Sequence, residues 1–206
     1  MNLNDRAYFK NKMGQFLCSK CESSFIPAEP YMYSSSGKYL NSVRALGVYD
    51  NSLMKAIHCF KYKGKLQLKL PLSSLLFYTF LKYFKNEKID IIIPVPLHKK
   101  RFRSRGFNQA FLLIQNWTNM LNIIIDRDNL VRKRYTRPQV GLGKIERINN
   151  IYEAFTIIDS SIIKDKKILL IDDVYTTGAT ANECARILIS KGATEVNVLT
   201  LAIATN

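Results

Sequence analysis

Cysteine is scarce: four residues, at 18, 21, 59 and 184, with no regular spacing. That excludes a disulfide framework of the kind that staples small secreted domains, and a reducing cytoplasm is the expected setting. Long apolar runs are missing too. The longest apolar-looking window, Leu66 to Phe84, is broken by Lys69, Pro71 and Lys82, so no membrane insertion is expected. The first seventeen residues carry charges and no long apolar stretch, unlike a secretory leader. Acidic residues are in deficit, 16 Asp+Glu against 31 Lys+Arg, for a net charge of +15. Such a surplus attracts polyanions, whether nucleic acid, phosphorylated metabolites or acidic membrane surfaces. A chain rich in Lys, Asn and Ile also reaches this charge by plain solvation, so clusters weigh more than the total.

What is present fits one domain of ordinary size with a small appendage: 206 residues, of which 47% are hydrophobic. The appendage is residues 1–43, a poor core former. Pro27, Pro30 and Ser34-Ser35-Ser36-Gly37 interrupt regular structure there. It holds Cys18-Ser19-Lys20-Cys21, half of a tetrahedral zinc site, and the next candidate ligands, His58 and Cys59, are far along the chain. A reduced zinc ribbon, or a site completed across subunits, fits this better than a complete Zn²⁺ site. The main domain is residues 44–206. Leu46, Val48 and Tyr49 suggest a strand, and Asn51 or Ser52 should cap a helix ending near Tyr62. Pro71 suits the first turn of a second helix running to Phe84. Ile89 to Val95 reads as a strand, followed by a loop over 96–106 with five cations, then a helix from Phe107 to Leu121 with Trp117 in its core face. A β segment at Asn129 to Arg132 leads to a basic, Pro- and Gly-containing stretch over 133–144, expected to be mobile. Phe155 to Ile158 and Glu195 to Ile203 read as further strands. Strands alternating with helices imply βαβ units and a mostly parallel sheet, whose ligands bind outside the carboxyl ends of the strands.

The chemistry concentrates in Ile168-Leu169-Leu170-Ile171-Asp172-Asp173-Val174-Tyr175-Thr176-Thr177-Gly178-Ala179-Thr180. The apolar run predicts a strand buried on both faces. A hydroxyl-rich turn follows the two carboxylates, and helical spacing from Ala179 to Lys191 puts Cys184 on the apolar face. A helix N-terminus offers unpaired N–H groups and a favourable dipole to a phosphate. Adjacent carboxylates can hold ribose hydroxyls or Mg²⁺ beside it. A Walker-type metal pair is the competing reading, but no GxxxxGK[ST] loop precedes the carboxylates.

An apolar strand, Asp-Asp, a short spacer, Thr-Gly and a helix together resemble the diphosphoribosyl-binding signature of type I phosphoribosyltransferases. Pro94-Val95-Pro96-Leu97-His98, Arg101, Arg105-Gly106-Phe107-Asn108-Gln109-Ala110, Gln139-Val140-Gly141-Leu142, Glu146-Arg147, Asn150 and Ala154-Phe155 are similar to the pattern of the ComF/GntX family, as is His58 to Gly64 with its Lys61-Tyr62. The resemblance covers roughly residues 44–206. It implies an α/β, type I phosphoribosyltransferase-like fold: a mostly parallel sheet flanked by helices, with a small N-terminal segment resembling a degenerate zinc ribbon. The family's two CxxC knuckles are here reduced to Cys18 and Cys21.

The resemblance also implies a cytoplasmic protein of natural competence that binds 5-phosphoribosyl 1-diphosphate (PRPP) with Mg²⁺ and passes the phosphoribosyl group to a nitrogen acceptor. On that carry-over Asp172 and Asp173 hold the ribose hydroxyls and, directly or indirectly, Mg²⁺. Thr176, Thr177, Gly178, Ala179 and Thr180 cradle the 5-phosphate. Leu97, His98 and Lys99 border the diphosphate, with Arg101 and Arg105 supporting the chemistry. Arg137, Gln139, Lys144 and Arg147 belong to a flexible loop that closes over it. Implied partners are single-stranded DNA, a competence helicase or other DNA-uptake proteins, and a second copy of the chain. The alternative is a non-catalytic PRPP- or nucleic-acid-binding accessory protein of DNA uptake. His98 is either a neutral proton acceptor on a basic loop or a structural hydrogen-bonding residue.

Overall fold

The computed structural model describes residues 18–28, 37–136 and 143–205, and only the backbone of Lys144. Five parallel strands form the central sheet: β1 (Ser42–Val48), β2 (Ile91–Pro94), β3 (Ile124–Ile125), β6 (Lys167–Tyr175) and β7 (Glu195–Ile203), in the order β1-β7-β6-β2-β3. A separate antiparallel pair joins β4 (Leu130–Arg132) to β5 (Phe155–Ile157). The helices are α1 (Ser19–Ser23), α2 (Asn51–Tyr62), α3 (Lys69–Phe84), α4 (Lys99–Arg105), α5 (Gln109–Ile114), α6 (Lys144–Ile151) and α7 (Ala179–Ser190).

The apolar runs divide between two faces with the strand period of two. Ile91, Ile93, Ile168 and Leu170 turn to one face, where they meet Cys184, Ala185 and Leu188 of α7 and Leu130 and Phe155 of the antiparallel pair. Ile92, Leu169 and Ile171 turn to the other, against Ile57 and Phe60 of α2, Leu76 and Phe80 of α3, and Leu113 and Trp117. A sheet covered on both sides must read as continuous hydrophobe, and this one does. Cys184 and Trp117 are core, as their spacing predicts. Because every strand of the sheet runs the same way, Val48, Pro94, Tyr175 and Ile203 end at one edge. The loops and helices that follow them collect there.

Several local expectations need correcting. The basic 96–106 segment is mostly the helix α4, not a loop. The His98 ring nitrogen Nδ1 accepts from the Lys100 N–H at 3.2 Å, and Gly106 (φ +84°) closes the other end with its N–H on the Phe102 carbonyl at 2.7 Å. The helix expected over 107–121 is only α5, started by Asn108, and a 3₁₀ turn at Trp117–Asn119 replaces its second half. The Asn108 side chain also donates to the Val95 carbonyl at 3.1 Å, so the cap residue pins α5 to the end of β2. Within the stretch expected to be mobile, residues 137–142 lie outside the described residues, and Lys144 already begins α6. The strand expected at Leu46 starts at Ser42, and the short β3 edge strand had no sequence signal strong enough to name it.

The described part of the N-terminal segment lies along β1. Pro27 forms an antiparallel bridge with Gly47, the Ser52 hydroxyl donates to the Cys21 carbonyl at 3.0 Å, and the Phe25 ring occupies the space a Cβ on Gly47 would need. Cys18 and Cys21 are free thiols, and among the described residues no group of three or more His, Cys, Asp or Glu side chains is placed to hold a metal ion. No helix among the described residues is long and apolar enough to cross a membrane.

Candidate active site

At the carboxyl edge of the sheet lies a cavity of about 420 Å³. Its floor is the end of β6. Asp172 stands opposite Thr200 of β7 in the parallel register, and the Asp172 carboxylate accepts from the Asp173 N–H at 2.8 Å. Both carboxylates line the cavity, Asp173 buried and Asp172 half-buried. The strand expected to stop at Ile171 thus carries the acids within its last turns of pleat and continues to Tyr175.

Burial and the neighbouring Asp173 charge push the Asp172 carboxyl up to about 8, against a smaller downward pull from Lys61. Lys61, at the end of α2, reaches Asp173 at 2.7 Å with both side chains largely buried. Burial alone would lower the Lys61 pKa, but the charge and hydrogen bond of Asp173, with help from Asp172, hold it above the usual value. Two acids and one cation therefore share this spot, and the second acid tends to keep its proton.

Another part of the cavity is built by the turn from β6 into α7. Gly178 takes φ +74°, and a Cβ there would fall 2.2 Å from the Tyr175 hydroxyl, so the position needs glycine twice over. The turn places Thr176, Gly178, Ala179 and Thr180 on the cavity wall at the start of a helix of twelve residues. Thr177 does not line the cavity; its hydroxyl instead accepts from the Ala179 N–H at 3.5 Å.

A further part of the lining comes from α4. At its beginning, Arg101 donates to the Thr136 carbonyl at 3.5 Å and the His98 ring lies 5.2 Å from that of Tyr135. Past its end, Phe107 packs on Phe60 of α2 at 5.6 Å, and Arg105 lies 5.2 Å over the Tyr62 ring. Arg101 and Arg105, one helical turn apart, both face the cavity, whereas Lys99, Lys100 and Arg103 are exposed away from it. His98 is buried outside the cavity lining with its Nδ1 lone pair committed to the helix cap. Burial, then the charges of Arg132, Lys99, Lys100 and Arg101, lower its pKa. The structural role suits it.

Of the residues singled out in the sequence, Leu97, Arg101, Arg105, Arg147, Asp172, Asp173, Thr176, Gly178, Ala179 and Thr180 are brought together here. His98, Lys99 and Thr177 stand just outside, while Arg137 and Gln139, and the side chain of Lys144, lie outside the described residues. Missed were Tyr49, Arg132 and Thr200, and Gln109 and Lys61-Tyr62 had been noticed without a role. Arg132 is the most telling. It is 8% exposed, its Nε has no hydrogen-bond partner, and its Nη2 donates to the Thr136 hydroxyl. Burial and then the Arg101 charge lower its pKa to about 10, which still leaves it charged at neutral pH. Among the described residues no carboxylate pairs with Arg132, Arg101 or Arg105. A buried guanidinium without a carboxylate is costly unless an anion completes it.

The phosphoribosyl transferase domain family matches residues 127–205, a stretch that includes β6, the glycine turn and α7. Competence protein F of Haemophilus influenzae is 32% identical over 161 residues, covering 76% of this chain and 70% of that one. The chain belongs to the competence protein F family. DNA utilization protein YhgH of Shigella flexneri, another relative, is 33% identical over 153 residues, 73% of this chain and 66% of its own. The chain thus spans about two thirds of the length of these relatives. The solved structure of a purine phosphoribosyltransferase from Pyrococcus horikoshii Ot3 aligns over 65% of this chain and 83% of its own, at 14% identity and a TM-score of 0.41. In this competence protein F family member the matched domain supplies the acids and the glycine turn. Lys61, Arg101 and Arg105 come from the chain before it.

Proposed function

We propose that this protein binds PRPP together with Mg²⁺ and transfers its phosphoribosyl group to a nitrogen acceptor, in the service of DNA uptake or use. The unit responsible is residues 44–206, with 1–43 as its appendage. The observation that carries the reading is a single cavity lined by Asp172 and Asp173, by a helix-opening glycine turn and by two carboxylate-free arginines, Arg101 and Arg132. A ribose with a phosphate at one end and a diphosphate at the other needs this set of groups.

On this reading the first turn of α7 and the Thr176 and Thr180 hydroxyls take the 5-phosphate. The acids accept from the ribose 2- and 3-hydroxyls, and Arg101 and Arg132 face the diphosphate. Breaking the bond from C1 to the diphosphate builds positive charge on the ribose and negative charge on the leaving group. Fixed acids below the ribose and fixed guanidiniums around the diphosphate stabilise both without reorganising. No nucleophilic side chain is required.

Magnesium ion fits the donor set only as a partner of the substrate. The two carboxylates are not a full cage, and Mg²⁺ keeps several waters while binding one or two carboxylates plus phosphates. Asp172 would hold it, through water, and the ion would neutralise charge on the diphosphate. Zinc has less support, since Cys18 and Cys21 find no further ligands among the described residues.

Calorimetric titration of the full chain with PRPP tests the reading. Saturable binding that needs Mg²⁺ and is lost in Asp172→Asn/Asp173→Asn is expected. No binding heat to folded protein at millimolar PRPP would overturn it. Binding without diphosphate release across amine and nucleobase acceptors would instead support the accessory-protein role.

A further inference from the structure

The end of the cavity beside α2 differs from the diphosphate end, and the difference bears on the acceptor. Tyr62 is 60% exposed, although it lines the cavity. Its ring has the Arg105 guanidinium 5.2 Å from its centroid and the His58 ring 5.0 Å away. Arg105 Nη1 donates to the Gln109 side-chain oxygen at 2.5 Å, and Gln109 is 5% exposed. One of the five guanidinium donors is therefore used to fix the plane, and no carboxylate among the described residues pairs with the group. Lys61 adds a second positive charge, already engaged by Asp173.

This geometry points to a planar aromatic or heteroaromatic nitrogen compound bearing a carboxylate as the acceptor, lying against Tyr62 with its carboxylate on Arg105. The inference rests on the PRPP reading and adds the acceptor class to it. A flat ring matches a largely exposed aromatic side chain with a guanidinium beside it. A carboxylate matches the two-pronged donor geometry of arginine, and a neutral ring would leave that charge unanswered. Among the described residues lining the cavity the only acids are Asp172 and Asp173, which are assigned to the ribose, so a cationic acceptor finds no counter-ion among them. In the transfer, the C1–O bond breaks with its electron pair leaving on diphosphate while the acceptor nitrogen's lone pair forms the N–C1 bond. Where that nitrogen bore a proton, the proton passes to the diphosphate.

The test uses the full chain with Mg²⁺ and PRPP, against anthranilate, orotate and quinolinate as acids and aniline, uracil and pyridine as their neutral counterparts. Diphosphate release should be at least about tenfold more efficient, by kcat/KM, with one of the acids than with its neutral counterpart. Tyr62→Ala should raise the acceptor KM about tenfold with little change in PRPP affinity, and Tyr62→Phe should restore it. Arg105→Gln should erase the preference for the acid. Equal or better use of the neutral compounds overturns the acceptor class. So does a lack of both release and binding heat for every acid once PRPP is seen to bind. Absence of PRPP binding itself would instead overturn the underlying reading.

Discussion

Asp172 and Asp173 are adjacent in sequence but differ in partner, because Lys61 pairs with Asp173 alone. With its carboxyl held up near 8, Asp172 keeps a proton in the folded protein through a range where the unfolded chain has lost it. Between about pH 4 and pH 8 the folded state therefore binds more protons, and this residue's contribution to stability falls as pH rises through that window. Asp172→Asn should flatten that fall, so that melting temperature plotted from pH 4.5 to 8 declines less in the variant than in wild type. An unchanged slope would mean that Asp172 is ionised throughout. The acids themselves were legible from their place after an apolar run. Their difference was not, since Lys61 lies on another element and its ion pair exists only once α2 is packed beside β6.

Among elements, α4 was one that the sequence hid. Five cations between Pro96 and Gly106 read as a loop, yet His98 and Gly106 are a start and a stop signal for one short helix. Once wound, it separates its charges: Arg101 and Arg105 inward, Lys99, Lys100 and Arg103 outward. The same logic hid Arg132, which looked like one member of a basic run until β4 turned it inside. On the far side of the sheet, α7 has a less visible tie. Glu183, 5% exposed, accepts from the Glu153 N–H at 2.7 Å and from Arg186 at 2.8 Å, joining α7 to the turn between α6 and β5. Glu183→Ala leaves that N–H and the Arg186 guanidinium without their partner. It should cost about 2 kcal/mol in urea denaturation, with the slope unchanged.

For the whole molecule, a net charge of +15 predicts affinity for polyanions, and the orientation of α4 assigns part of it. If single-stranded DNA binds, its affinity should fall steeply with salt. Lys99→Ala/Lys100→Ala/Arg103→Ala should weaken it several-fold and reduce the salt slope, with PRPP affinity retained, in fluorescence anisotropy at two salt concentrations. An unaltered slope would place the DNA elsewhere. Fold class and sheet face assignment were legible because each strand alternates two apolar sets, as Ile92 against Ile91 and Ile93 illustrates. β4 and β5 were legible as strands but not as a pair apart from the sheet, and the shortened α5 was not legible, because short elements are decided by what they pack on rather than by their own period.

The Lys61–Asp173 pair has a historical consequence as well as a chemical one. It links α2, beside the proposed acceptor, to the strand whose acids are proposed to hold the ribose. Side chains around Tyr62 can change without touching this pair, but the lysine at the end of the same helix cannot, since its loss would leave the buried Asp173 carboxylate without its cation. Diversification of such a site is thus hinged at one side chain, and a segment borrowed from a relative works only if it brings that lysine in register.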